Sequence, residues 1–285
     1  MKRARRKSRL YDFWRQLKKS KLAVVSLFVL IALVVIAIIA PLIIPYGYAA
    51  QNAALSFAPP SAEHLLGCDI MGRDILSRLI YGTRQSLQMG LYSVLIGAAI
   101  GVILGSVAGY FGGWVDNLCM RFLDIYQAVP MLLLSIALAA ILGASLRNAI
   151  IALGIGVVPG FARIMRASVL TVRENEYIEA SKSINCSTLR IIVKHIIPNA
   201  IGPMIVQITM GIGSCILAGA SLSFIGLGSQ PPVPEWGGMI AEARSHMREF
   251  PMHAIYPGVC IMISVLACNL LGDGLRDALD PRLRN

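Results

Sequence analysis

Six stretches of the chain are apolar and long enough to cross a lipid bilayer, and polar segments separate them. A helical crossing needs about 20 apolar residues. Residues 22–44 (LAVVSLFVLIALVVIAIIAPLII) supply this without one charge, and 87–111, 118–142, 146–166, 200–225 and 254–273 follow. The apolar core of a cleavable signal peptide is about 7–15 residues, so the first run reads as a retained span. The pattern predicts an all-α, polytopic membrane protein with six transmembrane helices. Its parts are a basic tail over 1–21, a first span over 22–44, a connecting segment over 45–86, a five-helix core over 87–273 and a second tail over 274–285.

Composition agrees with that reading. Of 285 residues, 56% are apolar and 14% charged, with a mean hydropathy of +0.68. Soluble domains carry about 25% charged residues. Too few polar groups remain to clothe a soluble enzyme, and the apolar content excludes a disordered chain. The net charge of +11 is concentrated: residues 1–21 hold ten Lys/Arg against the single acid Asp12, which leaves +2 for everything else. Directly before an apolar run, such a tail orients a span on an anionic membrane face rather than binding nucleic acid. With the N-terminus in the cytoplasm, 20 of the 26 basic residues fall on the cytoplasmic side. That bias predicts both termini inside, which an even number of spans satisfies. The six cysteines form no C-x-x-C pair and the four histidines are scattered, so no metal site is expected.

Four local patterns stand out. Span two carries Gly97, Gly101, Gly105 and Gly109, with Gly113 continuing the register, a face that admits another helix backbone closely. A static contact and a sliding one both fit it. In span three, Arg121 lies one turn from Asp124, which fits an ion pair or interfacial anchoring, and Pro130 predicts a bend. No acid lies deep in a span, where an ion relay needs one. Residues 67–84 place Ile75, Leu76, Leu79 and Ile80 at helical spacing, which predicts an amphipathic helix on the outer membrane face. Residues 230–238 are turn-rich and precede a short polar helix over 239–248.

The polar insertion over 167–199 needs a reason in so apolar a chain. From Glu174 to Pro203 it reads ENEYIEASKSINCSTLRIIVKHIIPNAIGP. Glu174, Glu176 and Glu179 suit the start of a helix over 174–184. Asn185 suits a left-handed turn that stops it. Ser187 or Thr188 can cap a second helix, which Pro198 ends or converts into the next span. Such a helix pair suits docking into a groove of a soluble partner. A solvated connector has the same pattern.

These residues carry a resemblance. The loop is similar to the coupling motif of ABC-importer permeases: Glu-Ala-Ala, three residues, Gly, nine residues, Ile-x-Leu-Pro. Glu179, Ala180 and Pro198 match; Ser181 stands for the second Ala, Asn185 for Gly, His195 for Ile and Ile197 for Leu. RIIVKHIIPN resembles the dipeptide/oligopeptide/nickel branch, as do HLLGCDIMGRDILSRLIYGTRQSL (64–87), AGYFGGWVD (108–116), ASLSFIGLGSQPPVPEWGGM (220–239) and NLLGDGLRDALDPRLR (269–284). Cys68, Ile70 and Met71 depart from the usual residues of the G-T-D-x-x-G-R-D segment, and Gly219 sits where an acid is common.

The resemblance implies a type I ABC-importer permease fold in the cell membrane. It implies a heterodimer with a second homologous permease, two ATPase subunits and an extracytoplasmic solute-binding protein. Its cargo would be di- or oligopeptides, with nickel complexes or glutathione-like solutes as the alternative. Pro231, Pro232 and Trp236 would contact the binding protein, unless Trp236 anchors the interface. Glu179 would pair with a basic residue of an ATPase, and Ala180 would permit close approach. The chain has no G-x-x-x-x-G-K-[ST] loop, and Gly-Lys does not occur, so ATP and Mg belong to partner chains. No catalytic residue, cofactor or metal is expected on this chain. Two remote rivals remain: an ion-driven transporter, and an intramembrane protease using Ser221 and His253.

Overall fold

The computed structural model describes residues 11 and 14–279; most of the basic tail and the last six residues of the C-terminal tail lie outside the described residues. Among the described residues the structure is helical with no strand, and a single isolated bridge joins Cys68 to Asp74. Helix α1 (Lys21–Ile43) starts where the Ser20 side chain accepts the Ala23 amide hydrogen. Its flank is open to the surroundings: Phe28, Ile38 and Leu42 are all well exposed. A bilayer stabilises such a surface, and water does not.

Helix α2 (Ile75–Phe111) is a single helix of 37 residues, about 55 Å long at 1.5 Å per residue. Asp74 caps it, its carboxylate accepting the Ser77 amide hydrogen at 2.7 Å. This corrects the expected amphipathic helix on the membrane face. Residues 67–74 are irregular, and from Ile75 the helix runs unbroken into span two. Ile75 and Leu79 are buried because Trp236 and Met239 cover them, not a lipid surface.

Span three is bent, as Pro130 predicts. Helices α3 (Gly113–Gln127) and α4 (Met131–Leu142) meet at 81° across residues 128–130. Pro130 has no N–H to continue the ladder, and its ring disfavours helical geometry in the preceding residue. Helix α5 (Leu146–Arg173), helix α6 (Glu176–Ser183) and a long helix α7 (Thr188–Phe224) follow. The expected separate second loop helix does not exist. Helix α7 continues through Pro198, by way of π turns over Ile191–Ile196. The wider turns fall just before Pro198, whose ring would otherwise crowd the Lys194 carbonyl. Only residues 174–175 and 184–187 of the polar insertion are outside helices. Helix α8 (Trp236–Ala243) begins earlier than the predicted 239–248, because Glu235 caps it by accepting the Gly238 amide hydrogen. A 3-10 turn (Arg244–His246) and helix α9 (Met252–Leu279) complete the chain, the last span reaching beyond residue 273.

Five helices are long and apolar enough to cross a membrane, and the bent α3–α4 pair makes six. The core lies between α2, α5 and α7, where Val94, Phe161, Met165, Ala200 and Met204 are buried together. Helix α1 packs on α9 through Ala23, which sits against Gly274 and Leu17. The start of α1, the end of α9 and the α5–α7 connection therefore share one end of the bundle. Helix α8 caps the other.

Candidate functional site

The glycine ladder is a contact with α5. A Cβ on Gly97 would lie 2.9 Å from the Gly154 carbonyl oxygen, on Gly101 2.9 Å from the Ala162 nitrogen, on Gly105 2.7 Å from Met165 Cβ, and on Gly109 2.9 Å from Val169 Cβ. Such separations leave no room for a side chain. Gly113 does not continue the ladder: α2 ends at Phe111, Gly112 turns the chain at φ 66°, and nothing lies within 4 Å of a Cβ on Gly113. Gly219 is likewise pressed against Met89, so the acidic side chain common at that place would collide there.

At the ladder's end, Arg173 donates to the carbonyls of Gly109 and Tyr110 at 3.0 Å each. These are among the last carbonyls of α2, which lack intrahelical partners. Beside them Arg166 forms a two-pronged pair with Asp116. Asp124 pairs with Arg163 of α5 rather than with Arg121, correcting the expected partner. The 81° elbow is therefore fastened to α5 by two ion pairs.

Helix α6 hangs from this junction by one residue. Ile178 is its only buried side chain, inserted among Val169, Ile191 and Ile196. Glu176, Glu179, Ala180, Lys182 and Ser183 are exposed around it. Ser181 is half-buried and donates to the Tyr177 carbonyl at 2.7 Å. Glu174, Glu176 and Glu179 make no ion pair among the described residues. Asn185 has φ 57°, left-handed, and the Cys186 amide reaches back to the Ser181 carbonyl at 3.1 Å. That reach-back bond and a left-handed residue are the usual stop of a helix. The turn then projects Ile184 (79% exposed) and Leu189 (73% exposed). Glu179, Ala180, Ser181 and Asn185 thus share one short helix and its stop. His195 (half-buried) and exposed Pro198 stand on the second arm, where the His195 carbonyl accepts from Asn199 at 2.6 Å. The arrangement offers an acidic, apolar-tipped knob on a single hydrophobic pivot.

The far end is built differently. Trp236 is fully buried, and its indole N–H donates to the Leu79 carbonyl at 3.2 Å. It is neither a surface contact nor an interfacial anchor, because the start of α2 closes over it. Pro231 and Pro232 remain exposed. Arg73 and Arg78 are 1% and 2% exposed, and both donate to Glu242 Oε2, at 2.7 and 2.8 Å. Asp69 joins them, accepting from Arg73 Nε at 2.6 Å. Sequence reasoning missed this buried network, since its partners lie 169 and 164 positions apart. Four charges in so apolar a chain were the available signal. Ser221 is half-buried and donates to the carbonyl of Leu217, in its own helix, at 3.0 Å.

Comparison with known proteins agrees with the geometry. Residues 101–285 match the family described as "Binding-protein-dependent transport system inner membrane component", and residues 8–60 match "N-terminal TM domain of oligopeptide transport permease C". The chain is 47% identical, over 96% of its length and 90% of the relative's, to the dipeptide transport system permease protein DppC of Alkalihalophilus pseudofirmus. It is 45% identical, over 96% of its length and 91% of the relative's, to the glutathione transport system permease protein GsiD of Pectobacterium atrosepticum. Among solved structures, an inward-facing form of the MetNI methionine ABC transporter is similar in fold, with a TM-score of 0.58 at 20% identity over 72% of this chain and 98% of that one. A multi-pass helical bundle, a match across most of its length and close relatives along nearly all of it lead to one conclusion: the chain belongs to the family of binding-protein-dependent transport system inner membrane components.

Proposed function

We propose that this chain is one of two permease subunits of an ATP-driven importer of di- and oligopeptides. The observation that carries the proposal is α6: an exposed helix whose two acids, Glu176 and Glu179, have no ion pair among the described residues, held on the single pivot Ile178, in a chain closely related to a dipeptide permease. The remaining subunits are a second, homologous permease, two ATPases and a solute-binding protein on the far side of the membrane. ATP and Mg are bound by the ATPases. The bundle end carrying α6 faces the cytoplasm together with both chain termini, in keeping with the basic residues gathered there.

The mechanism follows from the joints. A groove on an ATPase receives α6, Glu179 meets a basic side chain, and exposed Ala180 lets the surfaces close. When the ATPases move together, Ile178 transmits the displacement to α5 and α7, which pack around it. Those helices switch access from one side of the membrane to the other. Binding-protein contact involves the α8 end, with Pro231 and Pro232 exposed there and Trp236 supporting from beneath. The glutathione permeases at 45% identity support a second cargo reading, a glutathione-like tripeptide. Purification of the tagged chain from its native membranes, with mass spectrometry of the associated proteins, tests the proposal. Recovery of a second six-span permease and of subunits with a G-x-x-x-x-G-K-[ST] loop is expected. A chain recovered alone or as a homodimer would contradict it.

A further inference from the structure

Two buried polar atoms at the α8 end of the bundle have no hydrogen-bond partner among the described residues: Arg78 Nη1 and His253 Nδ1. Both residues line one cavity of about 20 Å³, together with Asp69, Glu242 and His246. A single water needs about 10–15 Å³ and two or more polar partners. Neutral His253 offers Nδ1 as an acceptor, and Arg78 offers an N–H. One water can therefore join them, donating to the imidazole and accepting from the guanidinium. It would link α2, which carries Arg78, to α9, which carries His253.

The same imidazole helps to hold the connecting segment. Phe57 has φ 56°, a left-handed conformation that bulky side chains rarely adopt. Such a conformation persists only where the surroundings enforce it. Here rings enforce it. Phe57 stacks on Phe250 with centroids 4.3 Å apart, lies parallel to His253 at 5.9 Å and meets His246 edge-on at 4.9 Å. Its backbone is paired with the stretch around Cys68. The Phe57 amide donates to the Asp69 carbonyl at 3.1 Å, and the Cys68 amide donates to the Ala58 carbonyl at 3.0 Å. Cys68 is fully buried within this pairing.

A proton on His253 would oppose both arrangements. Both ring nitrogens of an imidazolium are donors, so Nδ1 could no longer accept from a water held by Arg78. The groups facing His253 are Arg78 on α2, Asp69 on the connecting segment, Glu242 on α8, His246 on the 3-10 turn, and Glu249 and Tyr256 around the neighbouring cavity beside Phe57. Asp69 and Glu242 are already matched by Arg73 and Arg78. A further proton therefore leaves one net positive charge beside buried Arg78. A second proton, on His246 with its ring centroid 5.5 Å from that of His253, adds to the repulsion. Glu249 is exposed, so solvent and salt screen it. His64 works in the other sense: its Nδ1 lies 2.9 Å from Asp74, a pairing that a proton strengthens.

We propose that His253 is a proton-operated clasp. Neutral, it holds the connecting segment on α9 through the shared water and the Phe57 stack; protonated, it releases Phe57 and the segment with it. The clasp has its full strength above the ordinary histidine pKa of about 6.5 and weakens as the pH falls below it, since the released form takes the proton more readily.

Cys68 is the reporter. The full chain in lipid nanodiscs is treated with 4,4′-dithiodipyridine, which modifies thiols in acid as well as at neutral pH, and Cys68 modification is followed by peptide mass spectrometry. Each rate is divided by that of the chain in denaturant at the same pH, which corrects for the chemistry of the reagent. From pH 7.5 to pH 5.0 the normalised rate should rise at least about fivefold, since one proton can shift opening by up to about tenfold per pH unit. His253→Phe keeps a ring against Phe57, and His253→Asn keeps an acceptor near the place of Nδ1; each should give a flat profile. A flat profile in the parent would overturn the proposal, and so would an undiminished rise in either variant. Should both variants be open already at pH 7.5, imidazole NMR of the parent decides: a His253 titration with the midpoint of Cys68 exposure supports the clasp, and a separate midpoint overturns it.

Discussion

Arg173, the last residue of α5, donates through Nη1 to the carbonyl oxygen of Gly109, the last glycine of the ladder on α2, at 3.0 Å. The bond seals a seam that begins at Gly97. Along the seam every Cβ would fall within 3 Å of an atom of α5, and Gly154 answers from the other side against Ile96. Of the two readings open to the ladder, the static one fits this interlocking better, since packed surfaces of this kind have discrete arrangements and do not slide smoothly. Helices α2 and α5 then move as one body.

Overpacking the seam should therefore unfold the bundle before it affects transport. Gly101→Leu forces Phe161 and Ala162 away, at a cost of about 1–3 kcal/mol or more. Thermal unfolding in detergent, followed by loss of monodisperse protein, should shift down by several degrees. Gly258→Ala, where a Cβ meets nothing, should leave the midpoint unchanged.

Neighbouring positions on α6 should separate anchoring from recognition. Ile178→Ala removes the only buried side chain of that helix, at about 2–5 kcal/mol of local stability. Hydrogen exchange over 176–186 should accelerate while the spans stay protected. Glu179 has no ion-pair partner among the described residues, so Glu179→Lys should leave exchange as it was, while the ATPases are lost or uncoupled.

The buried charge network should tolerate no single deletion. Glu242→Ala leaves Arg73 and Arg78, both almost fully buried, facing each other with only Asp69 between them. Breaking a buried pair in this way costs about 3–5 kcal/mol. Folded protein in the membrane should fall sharply, and limited proteolysis should open the connecting segment near residues 52–74. Glu242→Asp should recover part of the yield.

Cys68 should resist alkylation. It is fully buried, and burial first, then the charges of Asp74 and Asp69, push its thiol above the ordinary cysteine range. A raised pKa means less thiolate at any pH below it, and thiolate is the reactive form. At pH 8, maleimide should modify half-buried Cys186 well before Cys68, as peptide mass spectrometry would show, and denaturation should abolish the difference.

The spans were legible because a bilayer demands long apolar runs, and the Asn185 stop and the Pro130 bend because each depends on one residue's own backbone preference. What failed depended on distant partners. Ile75 and Leu79 have the pattern of a surface helix, and only Trp236, over 150 positions away, turns them into core. Trp236 itself sits in a proline-rich loop that reads as exposed. Asp124 has Arg121 one turn away in sequence, yet Arg163 across the helix boundary holds it.

In the proposed mechanism α6 passes the work of ATP hydrolysis to α5 and α7. The direct measurement is dipeptide uptake and ATP hydrolysis, taken together, in proteoliposomes holding the whole complex with either the parent chain or Glu179→Lys. The parent should show ATP-dependent, binding-protein-dependent uptake that is insensitive to an uncoupler. Glu179→Lys should lose uptake at least tenfold, with the chain still folded in the membrane. Undiminished uptake by Glu179→Lys would contradict this role for α6.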